Sequence, residues 1–401
     1  MNLTTAPAAT RLRWLVLAVF VQSSAINYLD RQALATLAPL VRGEFHLSNA
    51  QYGLILTAFS ITYAACAPLA GLLIDRAGLN RAISLAVALW SCAGIATGYT
   101  RGLAGLVGCR AVLGAAEAAG IPAAGKAIHQ YLLPAERALG NAVNQAGVSL
   151  GLVLAPPLAT WLAVQYGWRS AFLVTGVLGL LWIPLWHWAA RRAPAGPTPR
   201  LDAVAGAGML RDRRLWGFVL ANALSMIGYS LWTNWTTLYL VEVHRLSLVA
   251  AAWYAWIPPL AATAGGAAGG WASLAWVRRG VPALDARFRV CLAAAAVGVA
   301  GAGIPLLPTP GWAAAGISLS IFAVAAFSVN MYTMPLDAFG PACAAFAVSI
   351  LVASYGAVQA LVSPAFGKII DVYGYAPLCA ASALAPLIAC GVLEWTRSAR
   401  S

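Results

Sequence analysis

Long apolar runs alternate with short polar breaks along the whole chain. The runs cover residues 13–40, 49–73, 82–99, 102–132, 138–164, 168–189, 214–241, 248–277, 288–307, 311–336, 343–369 and 375–396. A helix needs about 20 apolar residues to cross a bilayer. Each run approaches or exceeds that length, and all are rich in Leu, Ala, Val and Gly. No alternation of period two appears, so the runs predict helices and not barrel strands. The longest polar stretch, Ala190–Arg214, carries Pro194, Pro197 and Pro199 and follows the sixth run. The pattern predicts an all-α integral membrane protein, with twelve transmembrane helices in two six-helix bundles. The bundles occupy residues 1–189 and 214–401, joined by a linker at 190–213. Two echoes point to duplication. Pro157-x8-Tyr166-Gly167-Trp168 recurs as Pro364-x8-Tyr373-Gly374-Tyr375, and Asn27–Arg31 lies 202 positions before Tyr229–Thr233.

Composition sharpens this picture. Of 401 residues, 61% are hydrophobic and 9% charged, against about 25% charged in soluble domains. So few charges cannot solvate an aqueous surface, which excludes a soluble enzyme and a disordered chain. The first run begins like a signal peptide at Arg11. It continues to Leu40 without a small-residue cleavage site, and reads as a span. The net charge of +13 has a topological explanation. With the N-terminus inside, 17 of the 25 Lys and Arg fall on inner segments and 5 on outer ones. Arg31, Arg110 and Lys126 lie within spans. The bias predicts a multi-pass protein of the inner (plasma) membrane with both termini cytoplasmic, and it explains the basicity without nucleic acid. The seven cysteines include no C-x-x-C, and the four histidines are scattered. No catalytic or metal-ligand spacing is present. The expectation is a non-enzyme without cofactor or metal.

The informative residues are charges where lipid or apolar packing is expected. A central Asp, Lys or Arg costs about 2.5–3.5 kcal/mol even on the insertion scale. Span one keeps Asp30 and Arg31, and span four keeps Arg110, Glu117 and Lys126. Arg110 and Glu117 are seven residues apart, on one face but about two turns from each other. Each therefore needs a partner on another helix, and Asp30 and Arg31 supply the matching signs. The plainer reading is an ionic staple. The functional reading is a proton relay beside an anion site, favoured because the second half has no comparable charges. That half offers neutral polar and aromatic groups instead: Tyr229 and Trp232 in span seven, Ser328 and Asn330 in span ten, Tyr355 and Gln359 in span eleven. Such groups suit a polyhydroxylated ligand, and equally suit interhelical packing. After span two, Gly71-x3-Asp75-Arg76-x-Gly78-x2-Arg81 reads as a loop. Gly78 suits a left-handed helix end, and Asp75 suits the amides of the next helix. The segment is a plain capped turn or a cytoplasmic latch.

These motifs resemble the major facilitator superfamily. Gly71–Arg81 is similar to its signature between helices two and three. Asn27-Tyr28-Leu29-Asp30-Arg31 and Arg110-x6-Glu117-Ala118-x3-Pro122 resemble the anion:cation symporters, in particular the hexuronate and galactonate transporters. Residues 14–188 carry most of the resemblance. It implies alternating access and proton-coupled uptake of an organic anion by a monomer in the bilayer. It further implies that Asp30 and Glu117 carry protons, that Arg31 holds the substrate carboxylate, and that Arg110 couples to the acids. Tyr28 and Tyr63 would line the site, with Asn144 or Gln145 as the polar residue of span five. Two departures stand out. Leu274 replaces the Asp often found in the second-half copy of the signature, and Ala353 replaces an Asn that helps bind sugar hydroxyls.

The leading expectation is a proton:sugar-acid symporter, with a small organic anion and a proton as its partners. An exchanger or symporter of another mono- or dicarboxylate is the alternative. A non-transporting nutrient receptor fits less well, for want of a long tail or output domain.

Overall fold

A computed structural model describes residues 7–193, 210–339 and 341–398, and among them every regular element is helical. In chain order the helices are α1 Pro7–Phe45, α2 Asn49–Ala77, α3 Leu79–Gly98, α4 Leu103–Glu117, α5 Gly120–Tyr131, α6 Arg137–Tyr166, α7 Arg169–Ala190, α8 Arg213–Glu242, α9 Leu248–Ala255, α10 Ile257–Arg278, α11 Ala283–Gly298, α12 Pro310–Phe339, α13 Pro341–Tyr373 and α14 Ala376–Ser398. Most of the linker expected at 190–213 lies outside the described residues.

Proline explains two interruptions. Pro122 has no N–H for the carbonyl four residues back, and its ring crowds that carbonyl. The fourth span accordingly breaks at Ala118–Ala119, between α4 and α5. Pro258 and Pro259 similarly follow the turn at Trp256 that separates α9 from α10. Among the described residues eleven helical segments are long and apolar enough to span a membrane. The eighth expected span, α9 with α10, falls short by that measure because α10 is glycine-rich. The glycines have a packing role. A Cβ at Gly265 or Gly269 would come within 2.2 Å of Phe322 O and 2.6 Å of Ala326 O on α12. Inside a bilayer, close backbone approach of this kind holds helices together where hydrophobic transfer cannot.

The chain forms two compact units, Met1–Phe45 with Ala58–Leu201, and His46–Thr57 with Asp202–Ser401. In the first, Trp182 and Trp186 stack at 5.4 Å, with Phe20 edge-on to both. The Trp182 indole donates to Val19 O at 2.6 Å, which ties α7 to α1. In the second, Tyr239 packs edge-on against Trp232 and Tyr375. Asp212 caps α8, accepting from the Arg214 amide at 2.8 Å and its guanidinium at 2.7 Å. Those bonds hold the Asp212 carboxyl below its ordinary range.

Sequence pattern assigned residues 46–57 to the first bundle, whereas their contacts lie in the second unit. Asp371 accepts from the Asn49 and Ala50 amides, both at 3.1 Å, and from Asn49 Nδ2 at 2.9 Å. The charge sits where a helix N-terminus favours an anion. Tyr52 donates to Asn234 O at 3.2 Å and meets the Trp235 ring edge-on.

Backbone geometry repeats between the halves. His46, Gly78 and Gly167 have positive φ, and so do Arg245, Gly280 and Gly374, which lie 199, 202 and 207 positions later. The first pair follows α1 and α8, the second α2 and α10, the third α6 and α13. Gly167 and Gly374 are the glycines of the Tyr-Gly echo.

Candidate functional site

The charged cluster is built in the first unit from α1, α2, α3, α4 and α7. Glu117 is the last residue of α4, at the break that Pro122 imposes. One turn earlier, a Cβ at Gly114 would stand 2.3 Å from Phe59 O and 2.5 Å from Thr62 Oγ1. The missing side chain lets α4 press against α2 at Phe59 and Thr62.

Arg31 of α1 donates to Glu117 Oε2 from Nε at 2.9 Å and from Nη2 at 2.7 Å. Its guanidinium lies 4.8 Å from the centres of the Tyr28 and Phe59 rings and 5.1 Å from that of Tyr63. Such faces attract a cation, by about 2 kcal/mol or more when it is desolvated. The Arg31 side chain is 25% exposed and that of Glu117 0%. Glu117 Oε1 is buried without a hydrogen-bond partner.

The neighbouring acid is held differently. Asp30 is buried, and its Oδ1 accepts from Thr175 Oγ1 of α7 at 2.7 Å. Gly94 of α3 faces the same carboxylate. Arg110 is buried beside the Phe172 ring. Arg31 of α1 thus pairs with Glu117 of α4, while the second acid and the second arginine, Asp30 and Arg110, are both buried in the same unit. A partly exposed arginine whose donors converge on one carboxylate oxygen can exchange that partner for a ligand carboxylate. The displaced acid, with its second oxygen unbonded, can take a proton.

Other sequence candidates fall in varied places. Asn144 Oδ1 accepts from Ser24 Oγ at 2.8 Å, one turn before Tyr28, whereas Gln145 is exposed. Lys126 Nζ donates to Ile74 O at 2.9 Å, apart from the cluster. In the second unit, Tyr229 and Tyr355 meet edge-on at 6.0 Å, and Ser328 and Gln359 are half-buried. Asn330 is fully buried, its amide donating to Gly269 O and Ala326 O, and Trp232 is core. Trp232 and Asn330 are thus both packed in the interior of the second unit.

The expected loop at 71–81 is corrected. Gly71, Asp75 and Arg76 lie within α2 and Arg81 within α3, leaving Gly78 alone between the helices. Gly78 has φ 82° and ψ 155°. This is the extended positive-φ region that essentially only glycine enters, not the left-handed helical one. The Asp75 side chain lies outside the described residues. Arg76 and Arg81 are exposed. Gly78, Arg81, Lys126 and Gln130 help to line a cavity of about 340 Å³.

Sequence reasoning missed Phe59, Thr175, Gly94 and Gly114. Phe59 had a local signal, since it precedes Tyr63 by one helical turn and the rings stack at 5.7 Å. Thr175 had none, being 145 positions from Asp30.

Comparisons with known proteins agree with this architecture. The chain is 28% identical to the hexuronate transporter of Escherichia coli K12 over 405 residues, covering 96% of this chain and 94% of that protein. It is 31% identical to the galacturonate transporter of Dickeya chrysanthemi over 284 residues, covering 65% and 81%. Among solved structures, it resembles a bacterial homologue of the human lysosomal transporter Spinster in an inward-facing, unoccupied conformation. The TM-score is 0.75 at 22% identity, with 98% of this chain and 96% of the other covered. Residues 21–351 match the sequence profile of the Major Facilitator Superfamily. The chain belongs to the Major Facilitator Superfamily and is a multi-pass membrane transporter.

Proposed function

We propose that this transporter couples the inward movement of a proton to that of an organic anion, a sugar acid, by alternating access. One observation carries the reading. Arg31 sits among three aromatic rings with two donors on a single oxygen of Glu117, whose other oxygen is buried and unbonded. Protonating Glu117 weakens its hold on Arg31, and a substrate carboxylate then takes the guanidinium. Binding and protonation thereby favour each other, as linkage requires. Asp30 and Glu117 carry the protons and Arg110 holds Asp30 in register. Tyr28, Tyr63 and Asn144 or Gln145 line the substrate site from the first unit. Tyr229, Tyr355, Ser328 and Gln359 are the polar and aromatic candidates of the second unit. Gly71–Arg81 acts as the cytoplasmic latch, in a monomer of the inner membrane with both termini cytoplasmic.

The names of the hexuronate and galacturonate transporters support a sugar acid. Ala353 supports a second reading, transport of another mono- or dicarboxylate, because it lacks the amide that would meet a sugar hydroxyl. Uptake into proteoliposomes from a panel of sugar acids and simple carboxylates, with and without an imposed pH gradient, tests both. Symport predicts accumulation that follows the gradient. Uptake indifferent to it, with brisk anion-for-anion exchange, overturns the coupling.

A further inference from the structure

The Thr175 hydroxyl has two acceptors within reach. It lies 2.7 Å from Asp30 Oδ1 and 3.2 Å from Phe172 O, one turn back on its own helix. A hydroxyl has one proton and two lone pairs, so it can bond only one of them well at a time. With Asp30 ionised, the proton goes to the carboxylate as a charge-assisted bond. With Asp30 protonated, the acid proton is donated to Thr175 Oγ1, and the threonine proton turns to Phe172 O. Both states of a buried group then keep a partner, which matters because an orphaned polar group costs as much as the bond it lost. The charged groups of the same cluster are Arg31 on the helix of Asp30 itself and Arg110 and Glu117 on α4. Helices α3 and α7 face Asp30 with Gly94 and Thr175.

We infer that Thr175 is a positioning residue for Asp30, a rotating hydroxyl that holds the carboxyl through its protonation cycle and sets the pH at which it takes a proton. The inference rests on the proposed proton coupling and adds a residue on α7 to it. The bond to the ionised state is the stronger of the two. Removing the hydroxyl therefore penalises the charged form more and moves protonation to higher pH.

The test titrates Asp30 directly. The infrared band of the protonated carboxyl, identified by its loss in Asp30→Asn, is followed against pH in purified protein without substrate. Thr175→Val is close in shape and should move the midpoint up by about one pH unit, a tenfold change in proton affinity worth about 1.4 kcal/mol. Thr175→Ser keeps the hydroxyl and should restore the wild-type midpoint. Thermal unfolding of each variant identifies any that fail to fold, and the serine variant then decides alone through its wild-type midpoint. An unmoved midpoint in folded Thr175→Val, or a serine midpoint displaced from wild type, overturns the inference. The parent reading is judged separately. If wild-type uptake ignores a pH gradient, symport falls, while the titration still decides whether Thr175 governs Asp30.

Discussion

Replacing Glu117 by Gln removes the charge that holds Arg31 while keeping the shape of the side chain. In the wild type two charge-assisted bonds, at 2.9 and 2.7 Å, converge on Oε2. Hydrogen bonds to charged groups are worth about 1.5–3 kcal/mol net, and with Arg31 still charged but its partner neutral each bond moves from the upper to the lower part of that range. The two Arg31 bonds therefore weaken by about 2 kcal/mol together, which is about 30-fold in a competition for the guanidinium. The amide nitrogen of Gln falls where Oε1 is buried without a partner, and orphaning that donor costs about 1–3 kcal/mol of stability. The variant should therefore melt earlier, bind the anion as tightly as the wild type or up to about 30-fold more tightly, and exchange it across the membrane. It should not concentrate it. One proton per cycle across one pH unit supports about tenfold accumulation, and a carrier unable to release that proton gains none of it. Counterflow is measured beside pH-driven uptake in the same proteoliposomes. A Glu117→Gln transporter that still concentrates substrate when the outside is acidified would show that Glu117 is not the coupling acid. The Arg31–Glu117 pair would then be an ionic staple.

Three further outcomes follow from the geometry. Arg31→Lys replaces a fork by a point charge and should weaken anion binding by about ten- to a hundredfold, an order reckoned from one or two lost charge-assisted bonds. Competition assays check it, and a neutral sugar that competes as well as its acid would refute the carboxylate role. Gly94→Ala places a methyl 3.3 Å from Asp30 Oδ1. It should loosen the Thr175 bond and shift the pH dependence of uptake upward, by less than Thr175→Val; a downward shift would contradict the placement. Trp232→Ala should cost about 3–5 kcal/mol of stability, as for other buried aromatics, while Trp232→Phe leaves substrate affinity unchanged. Selective loss of affinity in the folded Phe variant would return Trp232 to the site.

Span positions were legible in the sequence because hydrocarbon thickness fixes a length that apolar runs must match. The expected run 138–164 became α6 at Arg137–Tyr166, and 375–396 became α14 at Ala376–Ser398. The isolated charges were legible too, since each stands out where a polar group is costly. The face each residue occupies was not. In a membrane protein the lipid face and the core are both apolar, so periodicity cannot tell them apart. Trp232 thus read equally as a ring for a ligand and as packing between helices, and the structure buries it. Charge signs limited the partners of Asp30 and Arg31, but only the packing of distant helices put Arg31 on Glu117 and Thr175 on Asp30. Thr175 and Gly94 meet Asp30 from helices far along the chain, and a single threonine or glycine in an apolar run carries no mark of its neighbour. Local chemistry set the elements and the candidate groups, and long-range packing alone set their partners, because contact between distant segments leaves no pattern in either one.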